Sequence, residues 1–239
     1  MAADYHSARR VQYADLAVAK AARPHSPLQP EGPPMFRTTA LGLAAALMLS
    51  TAGAAQAQMT TSPAAVQAGT YKLDPAHGKI TWSITHFGFS TYIGQFGHLD
   101  ATLKIDPKAV GATTLDVAVE ANSLGTLNAA LDTHLKSKDF LDTATFPTAT
   151  FHATKVTSTG EKTADIAGDL TLHGVTKPVV VHATFNQAGS NPVDKKYELG
   201  FAGSAEILRS DFGIKSYLPA ISDKVTLTME AEFKAAPAT

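Results

Sequence analysis

An all-β domain is predicted, eight antiparallel strands closed into a barrel with one helix between the third and fourth strands. Three observations carry this. Apolar and polar residues alternate with period two in segment after segment, Gly- and Asn-containing turns separate the segments, and only one stretch breaks into helical spacing. Ile80, Trp82, Ile84 and His86 share one face of the first strand, and Leu99, Ala101, Leu103 and Ile105 one face of the second. Leu115, Val117, Val119 and Ala121 form the third row. Ala149, Phe151 and Ala153 follow, then Ile166, Gly168, Leu170 and Leu172. Val179, Val181, Ala183 and Phe185 make the next row, Tyr197, Leu199 and Phe201 another, and Val225, Leu227, Met229 and Phe233 the last. Short connections such as His173-Gly174 imply antiparallel neighbours. Between the third and fourth strands, Leu127, Leu131, Leu135 and Lys138 recur at helical spacing, with Asn122-Ser123 and Asn128 both offering caps, so a helix is expected within 127–140.

The opposite faces carry Lys104, Asp116, Glu120, Asp165, Asp169, Glu230 and Glu232. Charges in that number would be prohibitive on lipid-facing strands, so the apolar face points inward and the barrel is not an outer-membrane pore. Parity places Trp82, Ile84, Leu103, Val117, Phe151, Leu170 and Leu227 inside, with His86 and Phe87 nearer the mouth. Small residues (Ala101, Ala121, Ala149, Ala153, Gly168, Ala183) share that interior. They either leave room for a long apolar ligand or interdigitate with the large ones to fill the barrel, and the pattern is equally consistent with both.

The 239 residues are 44% hydrophobic and 17% charged, with a formal net charge of −1 and no cysteine. Nothing in that balance calls for nucleic acid, and disulfides, thiolate nucleophiles and Cys-based zinc sites are excluded. Residues 35–57 read as a cleavable export signal: Arg37, an apolar run from Ala40 to Leu49, then Ala55-Gln56-Ala57. The run is too short to span a membrane, so periplasmic residence without stable membrane insertion is expected. Residues 1–34 lack sustained periodicity and read as a misassigned extension ahead of a start at Met35, with a genuine long leader from Met1 as the alternative. Residues 58–69 read as a flexible lead-in and 70–239 as the folded domain.

Seven histidines follow residue 58, but none sits in an HExxH or HxH set, so no metal site is expected. No GxSxG, GxGxxG or GxxxxGK loop is present. The residues therefore give no ground for an enzyme and call for no cofactor. His86 differs from the other histidines because it continues the inward row of Trp82 and Ile84. It either donates a hydrogen bond to a ligand's polar head or bonds a backbone carbonyl. The rival to a binding protein is an enzyme acting on a lipid in the same cavity with His86 as acid/base, which requires a second polar group converging on that ring.

Five segments in order, YKLDPAHGKITWSITHFG, IGQFGHLDATLKIDP, LDTHLKSKDFLDTATFPTATF, GDLTLHGVTKPVVV and LRSDFGI, resemble the YceI family of exported bacterial proteins, from about Tyr71 to Phe233. The resemblance implies a lipocalin-like barrel, a long isoprenoid-type lipid or isoprenoid quinone held inside it, and pairing of many relatives as homodimers. Two departures stand out: Gly78 where the family tends to have Ser, and Leu131 where it often has Arg. Loss of a guanidinium beside the helix favours a neutral, quinone-like head over a pyrophosphate.

Overall fold

The computed structural model describes residues 58–237, and the expected extension (1–34) and export signal (35–57) lie outside the described residues. The strands are β1 (Gly69–Leu73), β2 (Lys79–His86), β3 (Ser90–Phe96), β4 (Leu99–Ile105), β5 (Thr114–Glu120) and β6 (Leu124–Gly125). After the helix α1 (Ala129–Lys136) come β7 (Thr148–Ser158), β8 (Thr163–Leu172), β9 (Val175–Ser190), β10 (Tyr197–Leu208) and β11 (Lys224–Ala235).

These segments form eight staves, because three staves are broken. β11 pairs with β1 through Leu73↔Phe233 and with β2 through Leu227↔Trp82. β4 lies on β1 and β3 on β2; β5 then lies on β4 and β6 on β3. Each pair of segments is thus one interrupted stave. The ring runs on through β7, β8, β9, β10 and β11 and closes on β1, every neighbour antiparallel. Full closure leaves no exposed edge around the barrel's lower half.

The breaks have local causes. In the first, His77 N–H returns to Asp74 C=O at 3.0 Å, turning the chain between β1 and β2. Gly78 sits there because a Cβ would lie 2.7 Å from Leu73 Cδ2, so the departure from Ser makes room for that leucine. The third break is a single 3-10 turn, Ala121–Ser123. Between β8 and β9, His173 and Gly174 have φ of 52° and 73°, the primed two-residue turn that matches strand twist. Register shifts near Ala153/Lys155 and Gly200/Phe201 insert an extra residue, so the buried row passes from Ala153 to Val156 and from Phe185 to Ala188.

The helix is shorter than the 127–140 window. Asn128 accepts a hydrogen bond from Leu131 N–H at 3.2 Å and starts it at Ala129. At the other end, Ser137 is extended and its hydroxyl donates to His134 C=O at 2.7 Å. Leu127 is left outside the helix.

Tyr71, Leu73, Leu103, Phe185, Leu199 and Phe233 pack one end of the barrel, called lower here. Tyr71 is 2% exposed and its phenol is pushed up to about 12, by burial first and by Tyr197 second. Residues 58–69, expected as a flexible lead-in, are seated on this end. Thr60 pairs with Ala188, Val66 is 5% exposed within the core, and Tyr71 Oη donates to Gln67 C=O at 2.6 Å. Burial of Val66 outweighs the small, polar composition that suggested a loose segment.

Candidate ligand cavity

The barrel interior holds two apolar chambers rather than one continuous cavity. The upper one, about 400 Å³, lies beneath α1 and the β2–β3 turn. Its wall includes Trp82, Ile84, Leu170 and Leu227 from the strands, and Leu131 and Leu135 from α1. The lower one, about 380 Å³, is lined by Leu103, Val117, Ile166, Val181 and Phe233 and closed by Pro63, Ala64 and Val66. Ile80 borders both.

The residues expected to line a single cavity divide accordingly. Trp82, Ile84, His86, Phe87, Leu170 and Leu227 face the upper chamber, Leu103 and Val117 the lower one, and Phe151 neither. Phe151 pairs with Val117 on one side and Leu170 on the other, so it stands at the level where the chambers meet. Its ring lies over Gly168, where a Cβ would come within 2.5 Å of Phe151 Cζ. Ala153, Gly168 and Ala205 complete this waist and line neither chamber. Small residues here are filled by an aromatic neighbour, whereas Ala149 and Ala121 leave space above and Ala101 and Ala183 below.

Polar groups in the upper chamber are few. Among the described residues its wall contains His86, His134, Tyr92, Tyr217 and Arg209, and no Lys, Asp or Glu. His86 makes no side-chain hydrogen bond to a described residue; its ring packs edge-on against Phe87 at 4.6 Å. The backbone carbonyl weighed as its partner does not bond the ring. His134 instead meets Asp139, with Nε2 3.5 Å from Oδ2. Trp82 is 7% exposed, and its Nε1 donor has no partner among the described residues. The indole lies against Gly94, where a Cβ would come within 3.0 Å of Nε1, so this donor is buried against β3 and carries a desolvation cost.

Arg209 is the feature that sequence reasoning missed. It is 5% exposed, with Nε donating to Ser222 C=O at 2.9 Å, Nη1 to Ile214 C=O at 3.1 Å and Nη2 to Ile221 C=O at 3.0 Å. Burial lowers its pKa, opposed by nearby Asp223. Three carbonyls held by one rigid fork fasten the segment 213–223 over the chamber. Asp223 in turn accepts from the Ser210 hydroxyl at 2.6 Å and its N–H at 2.8 Å. The run LRSDFGI holds the signal, but nothing local in it says that the arginine turns inward.

Histidines on the outer wall have carboxylate partners across the strands: His152 with Asp116, His182 with Asp165 at 2.7 Å, and His98 with Glu120 at 3.0 Å. They are cross-strand pairs on the solvent face, away from either chamber.

A closed eight-stranded barrel around apolar chambers, with a helix over one end, defines a lipocalin-like protein. The chain belongs to the YceI-like domain family, which matches residues 71–233. A UPF0312 protein of Pseudomonas savastanoi is 44% identical over 158 residues, covering 66% of this chain and 80% of the relative. One from Pseudomonas paraeruginosa is 38% identical over 200 residues, covering 83% and 98%. Among solved structures, the Campylobacter jejuni YceI protein is 29% identical with a TM-score of 0.53, covering 60% of this chain and 84% of that one. A polyisoprenoid-binding domain from Saccharophagus degradans shares the fold at 15% identity and a TM-score of 0.56, covering 71% and 100%.

Proposed function

We propose that this protein holds a long isoprenoid-type lipid, a polyisoprenoid or an isoprenoid quinone, in the upper chamber and carries or stores it in the periplasm. The observation that carries this is a chamber of about 400 Å³, within the range of ligand sites, whose wall is hydrocarbon apart from a few ring groups and Arg209. Each CH₂ taken from water contributes roughly 0.8 kcal/mol, so an isoprenoid tail gains affinity without many polar contacts. The name of the Saccharophagus relative points to the same ligand class.

A neutral, quinone-like head fits the wall better than a pyrophosphate. Leu131 stands in the lining, and Arg209 has three of its nitrogens engaged with carbonyls. Binding is favoured over catalysis because His86 has no described residue hydrogen-bonded to its ring to orient it as a base. Periplasmic residence is supported by Arg37, the apolar run and Ala55-Gln56-Ala57. Mass spectrometry of organic extracts from gently purified protein tests the reading. An isoprenoid lipid enriched at up to one per chain is expected, and a protein that stays empty and takes up no added quinone would refute it.

A further inference from the structure

We propose that the mouth of the barrel docks reversibly on a zwitterionic phospholipid bilayer through Phe87, Phe89, Ile93, Leu127 and Tyr217. These side chains are 48%, 91%, 57%, 104% and 54% exposed. They converge on one end of the molecule. Phe87 N–H donates to Ala220 C=O at 2.9 Å, tying the β2–β3 turn to the segment that carries Tyr217. Tyr217 stacks on Phe140, just beyond α1, at 6.1 Å. The β3–β6 ladder ends at the pair Gln95 and Gly125, and Ile93 and Leu127 each lie two residues beyond that pair in their own chain segments.

Three of the five hold a left-handed backbone, with φ of 51° at Phe87, 64° at Leu127 and 63° at Tyr217. Gly or Asn would adopt that conformation more readily than a bulky apolar residue, and would be better hydrated. Strain and exposure together mark a surface shaped for something other than water.

Charge identifies the occupant. Residues 87–97, 124–131 and 216–222, which carry the five side chains, contain no Asp, Glu, Lys or Arg. The tips themselves bring no charge to desolvate, Asp139 and Lys215 being the flanking charges on the Tyr217 side, and aromatic rings are favoured at that depth. Phe87 and Tyr217 also line the upper chamber, so a lipid passing between bilayer and chamber would stay in contact with hydrocarbon. The choice of a bilayer over a protein partner rests on the lipid reading above; docking itself is measured without ligand.

The test is flotation of the protein with phosphatidylcholine vesicles containing no quinone, comparing wild type, the double variant Phe89→Ser/Leu127→Asn, and Val193→Ser. Val193, 89% exposed, lies in the β9–β10 connection away from the mouth. The double variant should lower partitioning at least about tenfold. Val193→Ser should leave it unchanged, and raising salt from about 0.1 M to about 1 M should not release wild type. Wild type that does not float, or a double variant that floats equally, overturns the proposal. So does concentration-dependent self-association abolished by the double variant in the absence of flotation, which would make this face a contact between two copies. Flotation by a protein that takes up no quinone would remove the carrier reading and leave docking standing; quinone uptake without flotation would do the reverse.

Discussion

Phe151 lies across Gly168 at the level between the two chambers: a side chain at 168 would meet the ring, with a Cβ 2.5 Å from Cζ. The ring lines neither chamber but occupies the level between them, so its removal is what would open one to the other. Phe151→Ala should join the chambers and lengthen the longest isoprenoid bound at full stoichiometry, measured by native mass spectrometry over a series of tail lengths. It should also cost about 3–5 kcal/mol of stability in a denaturant titration. An unchanged length limit would show that Phe151 does not separate the chambers.

Arg209→Met should release segment 213–223 from the rim. Two buried carbonyls and one half-buried carbonyl lose their donor, costing about 3 kcal/mol or more. Amide exchange at Ile214 and Ile221 should speed up more than in β8. Lys at 209 should rescue little, since an ammonium cannot reproduce the planar fork.

Asp74 gives the fold a pH dependence. Lys234 Nζ lies 2.6 Å from its Oδ2 and His77 Nδ1 3.0 Å, and these bonds hold its carboxyl well below the usual range. A depressed carboxylate pKa stabilises fully above the unfolded value, about 4, and the contribution fades as pH falls towards the folded value. His77 is raised, chiefly by its bond to Asp74, so its contribution is complete below about 6.5 and fades as pH rises through the folded value. Melting temperatures of wild type and Asp74→Asn should therefore differ most between about pH 4 and pH 6. A gap that stays constant from acid to alkaline pH would contradict this assignment.

Export should leave Gln58 as the first residue, after Ala55-Gln56-Ala57. N-terminal sequencing of the secreted form checks it, and an intact Met1 on an unexported protein would contradict it.

The alternation made the closed barrel and its inward rows legible. Trp82, Leu103, Val117 and Leu170 face inward as parity assigns them. Parity gives a face, however, and not a depth along the barrel. That Leu103 belongs to one chamber and Leu170 to another depends on stagger between strands far apart in sequence. The waist was illegible because Phe151 is accommodated by Gly168, on the next strand and beyond a turn. Arg209 was missed because an arginine is expected outside, and its three carbonyl partners come from a segment without regular structure that sequence patterns do not place. Helix α1 was located by its leucine spacing, but its start at Ala129 follows from the Asn128 cap rather than from Leu127.

Ligand burial in the upper chamber is tested most directly by titrating a solubilised isoprenoid quinone and following the fluorescence of Trp82, the only tryptophan in the chain and part of that wall. Ala149→Phe fills the upper chamber and Ala183→Phe the lower, and neither adds an indole. The expected result is saturable quenching in wild type and Ala183→Phe, with affinity at least about tenfold weaker in Ala149→Phe while its circular dichroism stays that of the barrel. Equal affinity in Ala149→Phe and wild type would contradict a lipid held in the upper chamber.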